Sequence, residues 1–303
     1  MSALERLAAA LEPLGELRRA EPLARHTTFG IGGPADLFLT VRSGEALGRA
    51  LTAAADAGVP VFILGSGSNI LVADAGIRGL VIDNRARAEQ LDGLTVRVES
   101  GASFAAFARR MCRRGLDGLA WAVGIPGTLG GAVVYNAGAY GGCLADVLRR
   151  VRIQEPSGRA EWVDAADLRL VYRGSRFTRG ELRGRAVLEC ELELFPGDAA
   201  DLVRRAAAFD AKRLAAQPRG RSAGSTFKNP PEAPAWKLID AVGMRGMRRG
   251  DAAISEKHAN FFVNEGNAAA ADVRWLIEEA RRRVFDRFGI RLETEVEFVG
   301  AWT

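Results

Sequence analysis

Residues 224–230, with the sequence GSTFKNP, place a hydroxyl, an ammonium and an amide side chain close together along the chain. A turn at this point would need only its glycine, its asparagine and its proline. Ser225, Lys228 and Asn229 are therefore candidates for a polar site. Because histidine is scarce in this sequence, we expect any proton transfer to rely on serine, glutamate, lysine or tyrosine.

Histidines and cysteines are too sparse for a metal site or a disulfide framework. His26 and His258 lie far apart in the sequence, and Cys112, Cys143 and Cys190 form no CxxC pair. Zinc sites need closely spaced thiolates or imidazoles, and an odd, sparse cysteine count does not support disulfides. The sequence predicts no bound metal. We expect His26 to make hydrogen bonds within a loop, and His258 to be structural or to contact substrate.

The composition is that of an ordinary globular protein, with 48% hydrophobic and 26% charged residues. No apolar run approaches the roughly 18 residues of a membrane-spanning helix. The N-terminal stretch carries several glutamates, which argues against a signal peptide. We therefore expect a cytoplasmic protein without a membrane partner. A monomer is a separate expectation, because the sequence does not reveal the oligomeric state.

Arginine dominates the basic residues, and the net charge is +5. One interpretation is a general arginine bias on solvated faces. The other is a positive field that attracts phosphorylated ligands. Nucleic acid is a weaker candidate, because the arginines are scattered and no aromatic-basic recognition motif accompanies them.

Three glycine-rich stretches cover residues 26–36 (HTTFGIGGPAD), 64–74 (LGSGSNILVAD) and 124–142 (GIPGTLGGAVVYNAGAYGG). Glycine permits positive φ and close backbone approach, and successive N–H groups in such loops can bind an anion. A Rossmann site is not favoured, because Ile70 takes the third glycine position and too few residues follow for a crossover helix. We expect loop amides to hold the phosphates of a long ligand such as a dinucleotide.

Hydrophobic periodicity predicts the elements that carry these loops. A hairpin is expected around Pro156, and the alternation over 185–195 predicts a strand with one exposed face. After Pro196-Gly197 the strand pattern is followed by a predicted helix and then a proline-rich stretch, so we place a domain boundary near residue 198. The other predicted elements are strands over 61–65, 79–83 and 94–100, helices over 1–20, 103–115, 199–215 and 271–289, and a closing strand over 291–300.

Six stretches together resemble one known family. They are HTTFGIGG, LGSGSNILV, GIPGTLGGAVVYNAGAYG, YRGSRF, GSTFKNP and LETEVEFVG, from about residue 20 to 300. Their order is that of the UDP-N-acetylenolpyruvoylglucosamine reductases, the MurB family. The resemblance implies an α+β protein with an FAD-binding domain of the vanillyl-alcohol-oxidase/p-cresol-methylhydroxylase type over 1–198, built from two α+β subdomains. A smaller α+β substrate-binding domain is implied over 199–303, with its C-terminal strand returning to the active site.

The family resemblance also implies an activity. An oxidoreductase of this kind binds FAD non-covalently and uses NADPH as co-substrate. It reduces UDP-N-acetylglucosamine enolpyruvate to UDP-N-acetylmuramate, a step of peptidoglycan precursor synthesis and hence of cell wall biogenesis. Hydride passes from N5 of reduced FAD to the terminal enolpyruvyl carbon, and Ser225 then gives a proton to the enolate.

Individual residues follow from the same resemblance. Arg173, Ser225 and Glu295 match the catalytic trio of the family. With Tyr135, Tyr140 and Tyr172 as the only tyrosines, the chain resembles the shorter form that lacks an inserted tyrosine loop, which leaves open what closes over the uridine diphosphate. The residues implied to bind substrate are Tyr172, Arg213, Lys228 and Asn229. The residues implied to bind FAD are Gly65, Ser66, Gly67, Ser68, Asn69, Ile70, Gly124, Ile125, Pro126, Gly127, Thr128, Gly130, Gly131, Asn136, Ala137 and Gly138.

The implied chemistry suits these side chains. Hydride addition moves charge onto the substrate carboxylate, which a guanidinium fork such as that of Arg173 can bind through two oxygens. The enolate is a strong base, so the Ser225 hydroxyl can protonate it if Lys228 or a relayed proton stabilises the alkoxide. Glu295 helps if protonated, or if it orients Arg173 or a proton path. We favour a protonated donor, which burial and a nearby anion would promote.

The sequence is also compatible with two other functions. An FAD oxidase or dehydrogenase of the same fold would act on an alcohol or sugar, often with its flavin tethered to histidine or cysteine. A non-catalytic nucleotide-binding protein would give Ser225 and Glu295 no chemical role.

Overall fold

The structure, a computed structural model, describes residues 2–302. Within that range seven α-helices form: α1 (Ala3–Leu11), α2 (Gly44–Asp56), α3 (Phe104–Arg113), α4 (Leu129–Val134), α5 (Ala199–Ala216), α6 (Ala235–Ala241) and α7 (Ala270–Phe288). The strands are β1 (Glu16–Pro22), β2 (Pro34–Val41), β3 (Val61–Leu64), β4 (Ile70–Val72), β5 (Ile77–Asn84), β6 (Glu89–Asp92), β7 (Thr95–Glu99), β8 (Leu116–Asp117), β9 (Gly138–Ala139), β10 (Gly142–Cys143), β11 (Leu148–Gln154), β12 (Ala160–Asp164), β13 (Ala186–Glu193), β14 (Phe195–Pro196), β15 (Arg221–Ser225), β16 (Arg248–Arg249), β17 (Ala252–Ile254), β18 (Phe261–Asn264) and β19 (Glu297–Val299).

Two compact units are each assembled from separate pieces of the sequence. The first unit comprises Met1–Arg19, Asp36–Gly65 and Gly79–Lys212, and the second comprises Ala20–Ala35, Ser66–Arg78 and Arg213–Thr303. The second unit therefore includes two segments from the N-terminal part of the chain. The functional division near residue 198 stays a prediction.

The first unit is built on a five-stranded antiparallel sheet with the order β12-β11-β13-β7-β6. The pairing of β11 with β12 confirms the hairpin around Pro156. Helix α3 buries Phe104, Phe107 and Met111 in the core over this sheet. This is the face that the sequence predicts, and Ser103 accepts a hydrogen bond from the Ala106 N–H at the start of the helix. The amphipathic pattern therefore places α3 correctly.

The stretch between β3 and β5 contains no crossover helix, as the sequence predicts. β3 pairs with β5 in parallel, with Val61 opposite Leu80. The connection between them is residues 65–69, here called the GSGSN loop, followed by β4. The second unit contains a four-stranded antiparallel sheet with the order β15-β18-β17-β16 and a parallel pair, β4 with β19. Its core includes Phe227, Phe262 and Leu276, the last from α7.

The predicted helix over residues 1–20 is wrong in its second half. Helix α1 ends at Leu11, and β1 begins at Glu16. Pro13 lies in a short 3-10 turn, and Gly15 is fully extended with φ 169°. A Cβ at Gly15 would lie 2.1 Å from the carbonyl oxygen of Thr40. Pro13 is a local signal that ends the helical run, and the close backbone approach at Gly15 excludes a side chain where the chain becomes extended.

The prediction of one exposed face for residues 185–195 is also wrong. β13 lies between β11 and β7, and its buried residues lie on both faces. Leu188 packs in the cluster that contains residues of α2, whereas Cys190 and Leu192 pack with α3. Glu191 is only 1% exposed, because Arg97 (2.8 Å) and Arg150 (2.9 Å) on the neighbouring strands bind its carboxylate. The charged residue Glu191 in this alternating pattern is therefore buried in ion pairs and does not mark a solvent-exposed face.

Replacing Glu191 with alanine is expected to lower the free energy of unfolding by about 3 kcal/mol, since the guanidinium groups of Arg97, Arg149 and Arg150 lose their shared buried partner. The hydrogen bond from Arg150 is the main cause that lowers the pKa of Glu191, and burial opposes it. A lowered folded-state pKa stabilises the protein above the unfolded pKa, and the gain disappears as pH falls through the folded-state value. In urea unfolding measured from neutral to acid pH, the difference in unfolding free energy between wild type and the variant should become smaller below about pH 4.

Glu193 provides the control for this experiment, because it lies on the same strand but is exposed. It accepts from Thr95 (2.9 Å) and Arg149 (3.4 Å) at the surface. Glu193→Ala is expected to change stability by less than about 1 kcal/mol. Equal losses for the two variants at neutral pH would contradict the role given to Glu191.

Candidate active site

Ser225 is the last residue of the edge strand β15, opposite Phe261 of β18. The register shifts between Ser222 and Ser225, and Gly224 within this irregularity has φ +79°. Such a bulge re-aims the side chain that follows it. Among the residues that the structure describes, none makes a hydrogen bond with the Ser225 hydroxyl, so this half-buried group is available to a ligand.

Glu295 lies on the segment that runs beside the continuation of β15. Its N–H donates to the carbonyl oxygen of Thr226 (2.8 Å), and the N–H of Lys228 donates to the carbonyl oxygen of Glu293 (2.9 Å). Between these bonds, Phe227 and Thr294 form an antiparallel bridge. The fold thus brings Ser225 and Glu295, two of the three predicted catalytic residues, onto adjacent segments of one unit.

The GSGSN loop joins the same assembly through the β4–β19 ladder. Asn69 donates from Nδ2 to the carbonyl oxygen of Glu295 (3.0 Å), and its own carbonyl accepts from the N–H of Glu297 (3.0 Å). Ile70 lies opposite Glu297 in the parallel pair. The sequence predicts Asn69 as a flavin contact. In the structure its side chain anchors the main chain of a predicted catalytic residue.

Gly67 fixes the GSGSN loop against the HTTFGIGG stretch in the second unit. Its carbonyl accepts from the N–H of Thr28 (3.0 Å), and the Thr28 hydroxyl donates to the carbonyl oxygen of Ser222 (2.7 Å). Gly67 has φ +59°, and a Cβ there would lie 2.2 Å from the carbonyl oxygen of His26. Glycine is therefore required at this position on two counts.

The GSGSN loop presents several backbone donors. Among the described residues, no acceptor forms a hydrogen bond with the N–H groups of Ser66, Gly67 or Asn69. A buried amide normally finds a partner, and Gly67 is buried. Successive N–H groups of this kind form an anion-binding site. The geometry suits the diphosphate of a dinucleotide without requiring a helix dipole.

The 124–138 stretch presents a second set of donors in the first unit. Within the described chain, the N–H groups of Gly124, Gly127 and Thr128 form no hydrogen bond to a protein acceptor. The Thr128 hydroxyl accepts from Gly131 (3.4 Å) at the start of α4. A Cβ at Gly65 would lie 2.5 Å from that hydroxyl oxygen. The glycine thus makes room for the threonine.

Arg173 lies in a tight turn of the first unit with φ +52°, a conformation that non-glycine residues rarely adopt. Val171 and Gly174 exchange two backbone hydrogen bonds across the turn, at 3.0 and 3.1 Å. Asn136 donates to the carbonyl oxygen of Val171 (3.1 Å) and accepts from Ala145, which ties this turn to the glycine-rich stretch. Strain of this kind is often found at functional sites.

The tyrosine before Arg173 faces outward. Tyr172 is 59% exposed, and the guanidinium carbon of Arg173 lies 5.4 Å from the centroid of its ring. The following Ser175 donates to the carbonyl oxygen of Val134 (2.6 Å) at the end of α4. The turn is therefore anchored on one side and presents an aromatic ring on the other.

Other predicted substrate residues have structural partners. The Lys228 ammonium lies 3.3 Å from Glu293, and the Asn229 side chain accepts from the N–H of Ala235 at the start of α6. Arg213 lies near the C-terminal end of α5, where Lys257 donates to the carbonyl oxygens of Leu214 (2.9 Å) and Gln217 (2.8 Å). The substrate-binding roles of Lys228, Asn229 and Arg213 stay predictions.

The two histidines make different contacts. Burial lowers the pKa of His258, which therefore favours the neutral ring at pH 7. Its Nδ1 accepts from the N–H of Asn260 (3.3 Å), and its ring packs near Trp236 and Phe261. His26 lies 2.9 Å from Glu21 through Nε2. Among residues 2–302, no cluster of histidine, cysteine and carboxylate side chains is arranged to hold a metal ion, and no helix is long and apolar enough to cross a membrane.

No motif in the sequence points to the residue that holds the Ser225 segment. Asn260 is 3% exposed and bonds the main chain of both Thr226 and Phe227. The only local signal is a polar residue at the start of the apolar run NFFV.

Two family models match the chain. Residues 216–299 match the C-terminal domain of UDP-N-acetylenolpyruvoylglucosamine reductase, and residues 35–164 match an FAD binding domain. A UDP-N-acetylenolpyruvoylglucosamine reductase from Symbiobacterium thermophilum is 44% identical, over 98% of this chain and 96% of that protein. One from Moorella thermoacetica is 42% identical, over 92% of each. The chain belongs to the UDP-N-acetylenolpyruvoylglucosamine reductase family.

Solved structures support the same assignment. The crystal structure of UDP-N-acetylenolpyruvylglucosamine reductase (MurB) from Thermus caldophilus has a TM-score of 0.80 and 37% identity, and the match covers 93% of this chain and 98% of that one. A glucose oxidase variant of Phl p 4 matches at a TM-score of 0.50 and 17% identity, over 66% of this chain and 45% of that one, which shows likeness of fold alone. The predicted α+β class with a vanillyl-alcohol-oxidase-type FAD-binding domain is confirmed, as is the predicted family.

Gly67→Ala is expected to weaken FAD binding by at least about 30-fold, or 2 kcal/mol. The new methyl group would collide with the His26 carbonyl, so the loop and its amides would have to move. The measurement is the FAD dissociation constant of the deflavinated protein, followed by flavin fluorescence. Gly93→Ala is the matched control, since it has the same φ of +59° with nothing within 4 Å of the added Cβ. Equal affinities for the two variants would exclude this loop from the flavin site.

Proposed function

We propose that this chain catalyses the NADPH-dependent reduction of UDP-N-acetylglucosamine enolpyruvate to UDP-N-acetylmuramate, with non-covalently bound FAD. The observation that carries the proposal is the near-full-length match to reductases of this name. The placement of Ser225 beside the Glu295 segment and the GSGSN loop supports it. The reaction supplies a precursor of peptidoglycan.

Each unit presents backbone donors of the kind that bind the phosphate oxygens of FAD. The N–H groups of Ser66, Gly67 and Asn69 would bind phosphate oxygens in the second unit, and those of Gly127 and Thr128 would do so in the first. When bound, FAD takes a hydride from NADPH and supplies it to the enolpyruvyl group. The predicted FAD residues over 65–70 and 124–138 are proposed as this binding surface. Gly130 and Gly131, whose amides bond Ser100 and Thr128, would contribute by lacking a side chain.

Arg173 would bind the substrate carboxylate. Addition of hydride to the terminal carbon sends the electron pair of the double bond toward that carboxylate, which gives an enolate with two negative charges. The planar guanidinium can donate two parallel hydrogen bonds to the growing charge. The tight, anchored turn that carries Arg173 limits its backbone freedom, which reduces the reorganisation needed during the reaction.

Ser225 would complete the reduction by giving its proton to the enolate carbon. The hydroxyl has no hydrogen-bonding partner among the described residues, so nothing in the folded chain competes with substrate for it. Glu295, on the adjoining segment, would donate a hydrogen bond as a protonated carboxyl group. The Lys228 ammonium, now held by Glu293, would have to exchange partners to stabilise the serine alkoxide.

Further assignments complete the proposal. Tyr172 and Arg213, with Lys228 and Asn229, would bind the UDP-sugar. The chain is proposed to act in the cytoplasm as a monomer on small molecules, with no nucleic acid partner. It is proposed to be the shorter form of the family, with residues 1–198 mainly binding flavin and residues 199–303 mainly binding substrate. The sugar or alcohol oxidase alternative is not favoured, because the near-full-length relatives are reductases.

A steady-state assay tests the proposed function. Protein reconstituted with FAD should oxidise NADPH only when UDP-N-acetylglucosamine enolpyruvate is present, and the product should gain two hydrogen atoms by mass spectrometry. Oxygen consumption with a simple sugar or alcohol, without reduction of the enolpyruvyl compound, would overturn the proposal.

A further inference from the structure

Asn260 is a buried amide beside the residue proposed to donate the proton. Its Nδ2 donates to the carbonyl oxygen of Phe227 (2.8 Å), and its Oδ1 accepts from the N–H of the same residue (2.9 Å). Its main-chain carbonyl accepts from the N–H of Thr226 (2.8 Å). With only 3% of its surface exposed, Asn260 makes these bonds away from competing water.

These bonds lie where the β15–β18 ladder stops. The regular register is already lost between Ser222 and Ser225, so main-chain pairing alone does not fix the chain beyond the serine. The Asn260 side chain bonds both polar groups of Phe227, as a neighbouring strand would. On the opposite edge, Thr226 and Lys228 bond Glu295 and Glu293.

The chain after Ser225 is therefore bonded on both sides. One side is the Glu293–Glu295 segment, and the other is a single side-chain amide. If the amide is removed, two buried polar groups of Phe227 lose their partner, and the segment can relax only by moving. Because Ser225 lies two residues away on an edge strand after a bulge, that movement would displace its hydroxyl.

We propose that Asn260 is a positioning residue for proton donation, because its bidentate bond to the Phe227 main chain sets the place of the Ser225 hydroxyl relative to the substrate. The inference rests on the proposed function. It adds a residue that itself needs no contact with substrate or flavin. A misplacement of about 1 Å can cost on the order of 100-fold in rate, so the expected effect is large without any loss of a reacting group.

The test compares the two half-reactions in Asn260→Ala, loaded with FAD and mixed anaerobically in a stopped-flow instrument. Reduction of the flavin by NADPH should stay within twofold of wild type. Reoxidation of the reduced protein by UDP-N-acetylglucosamine enolpyruvate should slow by about 30- to 100-fold. The substrate concentration that gives half the maximal reoxidation rate should stay within threefold, because the loss is in positioning rather than in binding. The isosteric Asn260→Asp, which keeps the acceptor but loses the donor, replaces the alanine variant if that variant does not fold.

Gln154→Ala is the matched control. Gln154 is also a buried amide, and it donates to the carbonyl oxygen of Gly48 (2.7 Å) in the first unit. It should lower the melting temperature and leave the ratio of the two half-reaction rates unchanged. The inference is overturned if a folded Asn260 variant reoxidises within threefold of wild type, or if both half-reactions slow in proportion. If reduced wild-type protein is not reoxidised by this substrate, the proposed function itself fails, and the inference fails with it.

Discussion

Ser225→Ala is expected to slow reoxidation of the reduced flavoprotein by the enolpyruvyl substrate by about 10⁴-fold or more, equivalent to about 5–6 kcal/mol of barrier. The enolate left by hydride addition needs a proton at carbon, and alanine has none to give. Reduction of the flavin by NADPH involves no such proton, so its rate should barely change. Single-turnover absorbance measurements of each half-reaction separate the two steps.

Ser222→Ala is the control for this prediction. Ser222 lies on the same edge strand and pairs with Val263, before the register shift rather than after it. Both half-reactions should be near normal in this variant. If Ser225→Ala slows the two half-reactions equally, or leaves reoxidation fast, Ser225 is not the proton donor.

Arg173→Ala should slow reoxidation by about 10³-fold or more, roughly 4 kcal/mol, with little effect on NADPH reduction. The guanidinium is proposed to meet the charge that develops on the substrate carboxylate, and its value is greatest in the transition state. Arg173→Lys should recover only part of the rate, because an ammonium cannot make two parallel hydrogen bonds to a carboxylate. The same single-turnover experiment measures both variants.

Arg169→Ala separates backbone strain from charge. Arg169 is also a non-glycine residue with positive φ, 49° against 52° for Arg173, and its guanidinium lies 3.9 Å from Glu181 at the surface. Its replacement should therefore change neither half-reaction by more than about threefold, in line with the small energies of exposed ion pairs. Near-normal turnover of Arg173→Ala would remove this arginine from the site, and equal losses in both arginine variants would assign the effect to the fold.

Local pattern in the sequence predicts several elements well. Helix α3 shows its buried face through Phe104, Phe107 and Met111, and α7 ends at Phe288, just before Gly289, whose φ of 69° suits the residue after a helix. The spacing of the GSGSN stretch correctly excludes a crossover helix. These features depend on residues close together in sequence, so the hydrophobic period and the glycines are sufficient.

Contacts between residues that are distant in sequence determine the features that local hydrophobic periodicity does not predict. The backbone of Gly15 lies against Thr40 just before β1, and β13 is buried on both faces because arginines on two other strands neutralise Glu191. Asn69 and Glu295 are 226 residues apart along the chain, and local periodicity does not pair them. In the structure they are joined through the parallel pair β4–β19, because the second unit includes two segments from the N-terminal part of the chain.

The residue types of the GSTFKNP stretch indicate a polar site, but they do not show which role each residue has. Its serine hydroxyl has no bond to the described chain, whereas Asn229 bonds the start of α6 and the Lys228 ammonium lies beside Glu293. Whether these two also contact substrate stays a prediction. Asn260 was missed because its importance comes from a contact across two strands.

Anaerobic sequential mixing of the wild-type protein tests the central claim most directly. NADPH should bleach the visible absorbance of the oxidised flavin, and UDP-N-acetylglucosamine enolpyruvate, added next in the absence of oxygen, should restore it with one equivalent of UDP-N-acetylmuramate formed. The claim is contradicted if the bleached protein persists with this compound and recovers its colour only when air is admitted.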